Sequence, residues 1–203
     1  MKGNTCAMKK KYCSLLLFAV CTITSIYSTG CLSVAAGAAV AGTAGIIYDR
    51  RTTGTVIDDQ GIELKMSQYL YAHPELSTRS HINVTSFNTI VLLTGEVHSQ
   101  DVADQVERQA GETPTVRRVY NELIVAEPTS LKSRSSDTWI TTKVKASILK
   151  NGAIDPLRVK VVTERGTVYL MGLVKRQEGE NAAEMARTIG GVHQVIRLFE
   201  YID

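Results

Sequence analysis

Cysteine is missing from almost the whole chain. Cys6, Cys13 and Cys21 lie within the first thirty residues, Cys31 follows, and nothing after it carries a thiol. That excludes a disulfide framework and thiolate-ligated zinc from the body of the protein. The four histidines, His73, His81, His98 and His193, are scattered without metal-ligand spacing. His98, Ser99 and Asp101 are neighbours in sequence, but side by side ahead of a helix they read as capping residues rather than a triad. Gly190-Gly191 lacks the rest of a phosphate-binding pattern. Glu178, Glu180 and Glu184 lie on a solvent face with no apolar pocket to raise a carboxylate pKa. No enzyme, metal site or cofactor is expected. Charge of one sign is lacking too. The full chain carries +3, but losing Lys2, Lys9, Lys10 and Lys11 with the front end leaves about −1, which gives no basis for a nucleic-acid partner.

What the front end does have is the pattern of a secretory signal. Lys9, Lys10 and Lys11 precede "SLLLFAVCTITSIY", which is shorter than the roughly 20 residues a bilayer span requires. Residues 1–30 are therefore expected to be a signal peptide, with Met8 as natural a start as Met1. Ser28, Thr29 and Gly30 directly before Cys31 resemble a lipobox, although serine stands where leucine is usual. On that reading Cys31 is acylated and becomes the first residue. Several acyl chains give stable anchoring where one is marginal. Leu32 after the cysteine, in place of aspartate, fits a lipoprotein passed on to the outer membrane. The alternative is a plain signal peptide with a free cysteine. Residues 31–61 then form a tether, opening with the Ala/Gly-rich "LSVAAGAAVAGTAGII", whose glycines disfavour stable helix in water.

The rest is an internal repeat. "INVTSFNTIVLLTGEV" from Ile82 lies over "VKVVTERGTVYLMGLV" from Val159, and "VRRVYNELIV" from Val116 lies over "VHQVIRLFEYI" from Val192. Upstream, Ile62, Met66 and Leu70 match Ile140, Val144 and Ile148, a helical stripe at four-residue spacing. Two copies follow, 62–127 and 137–203, joined by a polar linker at 128–136. Within a copy, Val159, Val161, Val168 and Leu170 alternate around Arg165-Gly166, a tight hairpin. Ala182, Ala183, Ala186 and Ile189 predict a second helix ending near Gly190-Gly191, and Val195, Leu198 and Tyr201 a last strand. The expected class is α+β: two tandem domains, each αββαβ, with two helices covering one face of a three-stranded mixed sheet. Domains this small are marginal alone, so packing the copies together would help.

The one tryptophan sits in "DTWITTKVKASILK", Asp137 to Lys150. With Trp139 at zero on a helical wheel, Ile140, Val144 and Ile148 fall between about 100° and 180°. Lys143, Ala146 and Lys150 fall within about 40° of the ring, Thr142 and Leu149 lie just to one side, and Lys145 is at the edge. Trp139 thus points away from the core stripe. An indole and a leucine flanked by lysines suit a membrane interface, the lysines meeting anionic phosphates at about 1 kcal/mol each. A second arrangement fits the same pattern: the ring packs on the other repeat or the linker, and the lysines are a solvated rim. Charge favours the second copy as the anionic-lipid side, since the first carries −4 and the second +2.

The repeat resembles the BON domain. Val159, Val161, Gly166, Val168, Leu170, Gly172 and Val174, then Gly191, Val192 and Val195, match its pattern, as do Ile82, Val84, Val91, Leu93, Gly95, Val97, Val116, Val119 and Asn121 in the first copy. Thr89 and Thr115 stand where glycine is expected, which puts the first copy's turn geometry in question. The resemblance implies an outer-membrane lipoprotein on the periplasmic face, anchored by lipid at Cys31, that supports envelope integrity and division-site processes. It implies binding of anionic phospholipids (phosphatidylglycerol, cardiolipin) through Trp139, Thr142, Lys143, Lys145, Ala146 and Leu149. The rival expectation is a protein-interaction module, with the same face docking an envelope protein of the outer-membrane assembly or peptidoglycan-remodelling machinery.

Overall fold

The computed structural model describes residues 49–152 and 154–203, so the expected signal peptide, Cys31 and the Ala/Gly-rich segment lie outside the described residues. The first copy runs α1 (Thr53–Ala72), a single turn α2 (Pro74–Ser77), β1 (His81–Phe87), β2 (Ile90–Val97), α3 (Gln100–Glu112) and β3 (Arg118–Val125). The second repeats it as α4 (Leu131–Asn151), a short 3-10 turn (Pro156–Arg158), β4 (Val159–Glu164), β5 (Thr167–Val174), α5 (Arg176–Arg187) and β6 (Gln194–Tyr201). In each sheet the second strand is central, antiparallel to the first and parallel to the third. The architecture is α+β, two mixed three-stranded sheets each carrying two long helices.

Both opening helices reach further back than the apolar stripe indicates. α1 begins at Thr53, inside the stretch read as tether, where the Thr52 hydroxyl accepts from the Thr55 N–H. α4 begins at Leu131, inside the stretch read as linker, with Ser130 accepting from the Ser133 N–H. The Arg134 guanidinium adds two bonds to the Thr129 carbonyl, at 3.1 and 2.9 Å. A capping hydroxyl starts a helix whether or not its first turns are apolar. Ser99 likewise caps α3, accepting from Val102.

The helix-facing sides of the sheets form two separate cores. Ile62 and Met66 of α1 pack on Val91, Leu93 and Val97, and Ile140, Val144 and Ile148 of α4 pack on Val159, Val168 and Leu170. The opposite faces pack largely against each other. Phe87, Ile90 and Leu92 of the first copy and Tyr169, Met171 and Leu198 of the second form a third cluster, so the copies stack as helix, sheet, sheet, helix. This explains why every residue of β2 is buried: a strand covered on both faces reads as a continuous apolar run. Burial also pushes the Tyr169 hydroxyl up to about 12, with the nearby Glu122 and Glu164 carboxylates adding to the shift.

The pattern glycines of β2 and β5 have one cause. A Cβ at Gly95 would lie 1.8 Å from the His81 carbonyl oxygen, and one at Gly172 would lie 2.5 Å from that of Arg158. Each sheet's first strand thus enters too close to the central strand for any side chain.

Beside the apolar cluster the joint between copies is polar. Glu96 is fully buried and accepts from the Thr129 N–H at 3.2 Å, with Arg165 at 3.4 Å. Glu164 is buried and accepts from Asn83 Nδ2 at 2.9 Å across the joint, with His81 at 3.9 Å. Burial raises the Glu164 pKa, and the Glu96 and Asp137 carboxylates add to it, against the Asn83 bond. Burial, then Arg134, lowers that of His81. A raised carboxyl pKa means the folded state holds the proton more tightly than the unfolded one. Ionised Glu164 therefore costs stability above its folded pKa, and the cost fades as pH falls through it. His81 runs the other way, its contribution being present above its ordinary pKa and lost as pH falls. Glu164→Gln keeps an acceptor for Asn83, so its Tm should exceed the parent's at pH 7.5 and the gain should vanish toward pH 4. Paired thermal melts across that range check it; a gain that grows in acid contradicts it.

Candidate lipid-facing surface

α4 is built with two unlike sides. Asp137, Ile140, Val144 and Ile148 are its buried residues, while Trp139, Thr142, Lys145, Ala146 and Leu149 are all exposed. The Trp139 side is 60% exposed and the Leu149 side 66%. The indole belongs to none of the three core clusters. Lys143 Nζ lies 5.3 Å from the centre of the indole ring, within cation–π range. Lys143 itself is half-buried, as a lysine whose aliphatic stem lies along the surface would be. Thr142 donates its hydroxyl to the Thr138 carbonyl at 2.9 Å. Its polar group is thereby satisfied within the helix, which leaves the methyl as what the surface offers.

All six residues expected at this face are thus brought to one side of one helix. Two further leucines are exposed near the two ends of this helix. Leu131, 80% exposed, lies about five turns before Leu149 and so on the same azimuth; it escapes sequence reading because its turn looks like linker. Leu157, 51% exposed, sits in the 3-10 turn just after the helix. Its only sequence signal is an apolar residue after Asp155-Pro156. The helix closes at Gly152, whose φ of 70° allows its N–H to reach the Ile148 carbonyl.

The first copy presents a different face at the equivalent place. Gly61 occupies the Trp139 position and Lys65 that of Lys143, and the exposed apolar residues are Ile57, Leu64 and Tyr71. The indole with a lysine set over it is therefore particular to the second copy. Among the described residues, no helix is long and apolar enough to cross a membrane and no group of three or more His, Cys, Asp or Glu could hold a metal ion.

Comparison with known proteins bears on the fold and the family. The family model described as "BON domain" matches residues 58–127 and again 136–203. The chain is 38% identical over 180 residues to "Outer membrane lipoprotein DolP" of Haemophilus influenzae, covering 88% of this chain and 92% of that protein. It is 33% identical over 155 residues to a "21 kDa hemolysin" of Actinobacillus pleuropneumoniae, covering 76% and 80%. It is 31% identical over 145 residues to "Osmotically-inducible protein Y" of Escherichia coli K12, covering 70% and 72%. With two matched domains across most of its length, the chain belongs to the BON-domain family, as a two-domain protein of the DolP type.

Proposed function

We propose that this DolP-type outer-membrane lipoprotein is a non-enzymatic membrane-surface protein. It is acylated at Cys31 and reads anionic phospholipid through the outward face of α4. The observation that carries this reading is the exposed Trp139 with Lys143 stacked on it and Leu149 alongside. In water this face leaves an indole and a leucine unburied. At an interface the indole sits at headgroup depth, the leucine enters the acyl boundary, and Lys143, Lys145 and Lys150 meet phosphates. At about 1 kcal/mol per lysine the attraction is weak and falls with salt. Such a contact adjusts the posture of an anchored protein and leaves the holding to the lipid. Sensing phosphatidylglycerol or cardiolipin in this way fits a role in envelope integrity and at division sites, where the lipid composition seen by the periplasmic face would decide how long the second domain stays engaged.

The test uses the chain without residues 1–30 and with Cys31→Ser, so that binding is not dominated by the anchor. Cosedimentation with vesicles should rise with the phosphatidylglycerol or cardiolipin fraction, be absent with phosphatidylcholine alone, and fall as salt is raised. Trp139→Glu should weaken binding by at least about tenfold, roughly 1.4 kcal/mol, with far-UV circular dichroism unchanged because the ring is outside the core. Equal binding by the variant would transfer the role to another surface. A tight complex with an envelope protein that survives Trp139→Glu would favour the docking-module reading instead.

A further inference from the structure

We infer that the Pro156–Arg158 turn is a second point of bilayer contact, with Leu157 as its tip. The second domain then meets the membrane inclined, the C-terminal half of α4 lower than its start. This rests on the phospholipid reading of α4 and adds to it an orientation and a residue.

Three observations carry it. The first is the rigidity of the turn. Pro156 opens it, the Asp155 carboxylate accepts from the Leu157 N–H at 3.0 Å, and the Arg158 N–H bonds the Asp155 carbonyl at 3.0 Å. A leucine held half-exposed by a fixed turn has little conformational freedom left to lose on insertion. The second is position. The turn packs against α4 and the adjoining ends of β4 and β5, at the end of the helix that carries Leu149 and Lys150. The third is where the chain from Cys31 joins the body. Arg50 donates to both Glu178 oxygens, at 2.6 and 2.9 Å, and to the Leu173 carbonyl at 3.0 Å. Arg158 Nη1 lies 3.5 Å from the same Glu178 carboxylate. One carboxylate thus ties the point of attachment to the residue next to Leu157. Whatever path the preceding segment takes, its attachment is at this pole. Leu131, the more exposed leucine, lies about 27 Å up the helix at 1.5 Å per residue. An interfacial helix buries its apolar face only about 5–10 Å, so an inclined α4 wets Leu131 and immerses Leu157.

The experiment uses the full chain, purified from membranes and reconstituted through its own anchor into vesicles containing phosphatidylglycerol. Trp139, the only tryptophan, is read by quenching with brominated acyl chains. Leu157→Glu should remove at least half of the quenching, and Leu131→Glu should leave it unchanged, both with native circular dichroism. If Leu157→Glu disturbs the fold, Leu157→Ser should still lower quenching. Full quenching in both Leu157 variants overturns the inference while leaving the phospholipid reading standing. Equal loss from Leu131→Glu means the helix lies flat, which also overturns it. Absence of quenching in the parent chain removes the phospholipid reading, and this orientation with it.

Discussion

Asp59→Ala is expected to lower the stability of the folded body by about 3–5 kcal/mol, since Ser86, Asn88 and Thr89 each lose a buried or part-buried acceptor at about 1–3 kcal/mol apiece, even though Arg51 keeps its pair with Asp49. Asp59 is a helix residue turned inward, 3% exposed. It accepts from Ser86 Oγ at 2.6 Å, from the Asn88 N–H at 2.8 Å and from the Thr89 N–H at 2.7 Å, and Arg51 pairs with it at 2.7 Å. The β1–β2 hairpin it holds is demanding, because Asn88 and Thr89 both take positive φ, 52° and 61°. A β-branched residue rarely adopts that conformation. The expected departure at Thr89 therefore leaves the turn's shape intact; the carboxylate and Arg117, which bonds the Thr89 hydroxyl at 2.7 Å, impose it. Thr115 is held in the same region, at φ 74°. In the second copy Asp137 holds the matching turn through the Arg165 and Gly166 N–H groups at 3.0 and 2.9 Å. Glycine there carries no such strain. Asp137→Ala should accordingly cost less, about 1–3 kcal/mol, since of its two donors only the Gly166 N–H is buried. Urea unfolding of both variants tests the comparison, and an Asp59→Ala cost at or below that of Asp137→Ala would show that the carboxylate is not what sustains the Thr89 turn.

These two aspartates mark where sequence reading stops. The repeat, the helical stripes and the hairpins were legible because apolar spacing encodes which face is buried, and Ile62, Met66, Ile140, Val144 and Ile148 occupy the core that spacing predicts. An aspartate one turn ahead of such a stripe carries no sign of burial in its identity; only the folded hairpin supplies the N–H groups that satisfy it. The outward side of α4 was legible only in part. A lysine-flanked tryptophan off the stripe has no place in its own domain's core, but its spacing fits packing on the other repeat or the linker equally well, and it is the fold that leaves the ring exposed. The second faces of the sheets were not legible at the level of residues. That the copies would gain from packing follows from their size, but Leu92 or Met171 alone could equally face a partner or a solvated surface. Leu157 and Leu131 were hidden by their setting, one in a short turn and the other in a helix start that reads as linker.

Leu92→Asp should have an effect of similar or greater size, about 4 kcal/mol or more, through a different route. Leu92 is fully buried in the cluster between the sheets, against Tyr169, Met171 and Leu198 of the other copy. A carboxylate placed there loses those apolar contacts and gains no partner to offset its desolvation. Each copy keeps its own helix-side core, so the substitution strikes the joint and spares the interior of either domain. Since domains this small are individually marginal, the parent chain should unfold in one transition, the joint making the copies cooperative. The variant should lose that unity. Calorimetry should resolve two transitions, or one at much lower temperature followed by residual structure in the second copy. A conservative Leu92→Ala should cost about 2–5 kcal/mol and keep a single transition. The same separation would act on the surface of α4 indirectly. Arg50 bonds to the second copy while its neighbour Arg51 pairs with Asp59 of the first, so the sheet-to-sheet joint and this arginine pair together fix the attachment point relative to the lipid-facing helix. In Leu92→Asp the indole and lysines remain on α4 but lose their fixed placement. Vesicle binding by the unanchored chain should then survive, while Trp139 quenching in the anchored chain becomes weaker and more variable. Unchanged quenching despite two resolved transitions would mean that α4 finds the bilayer without help from the first domain.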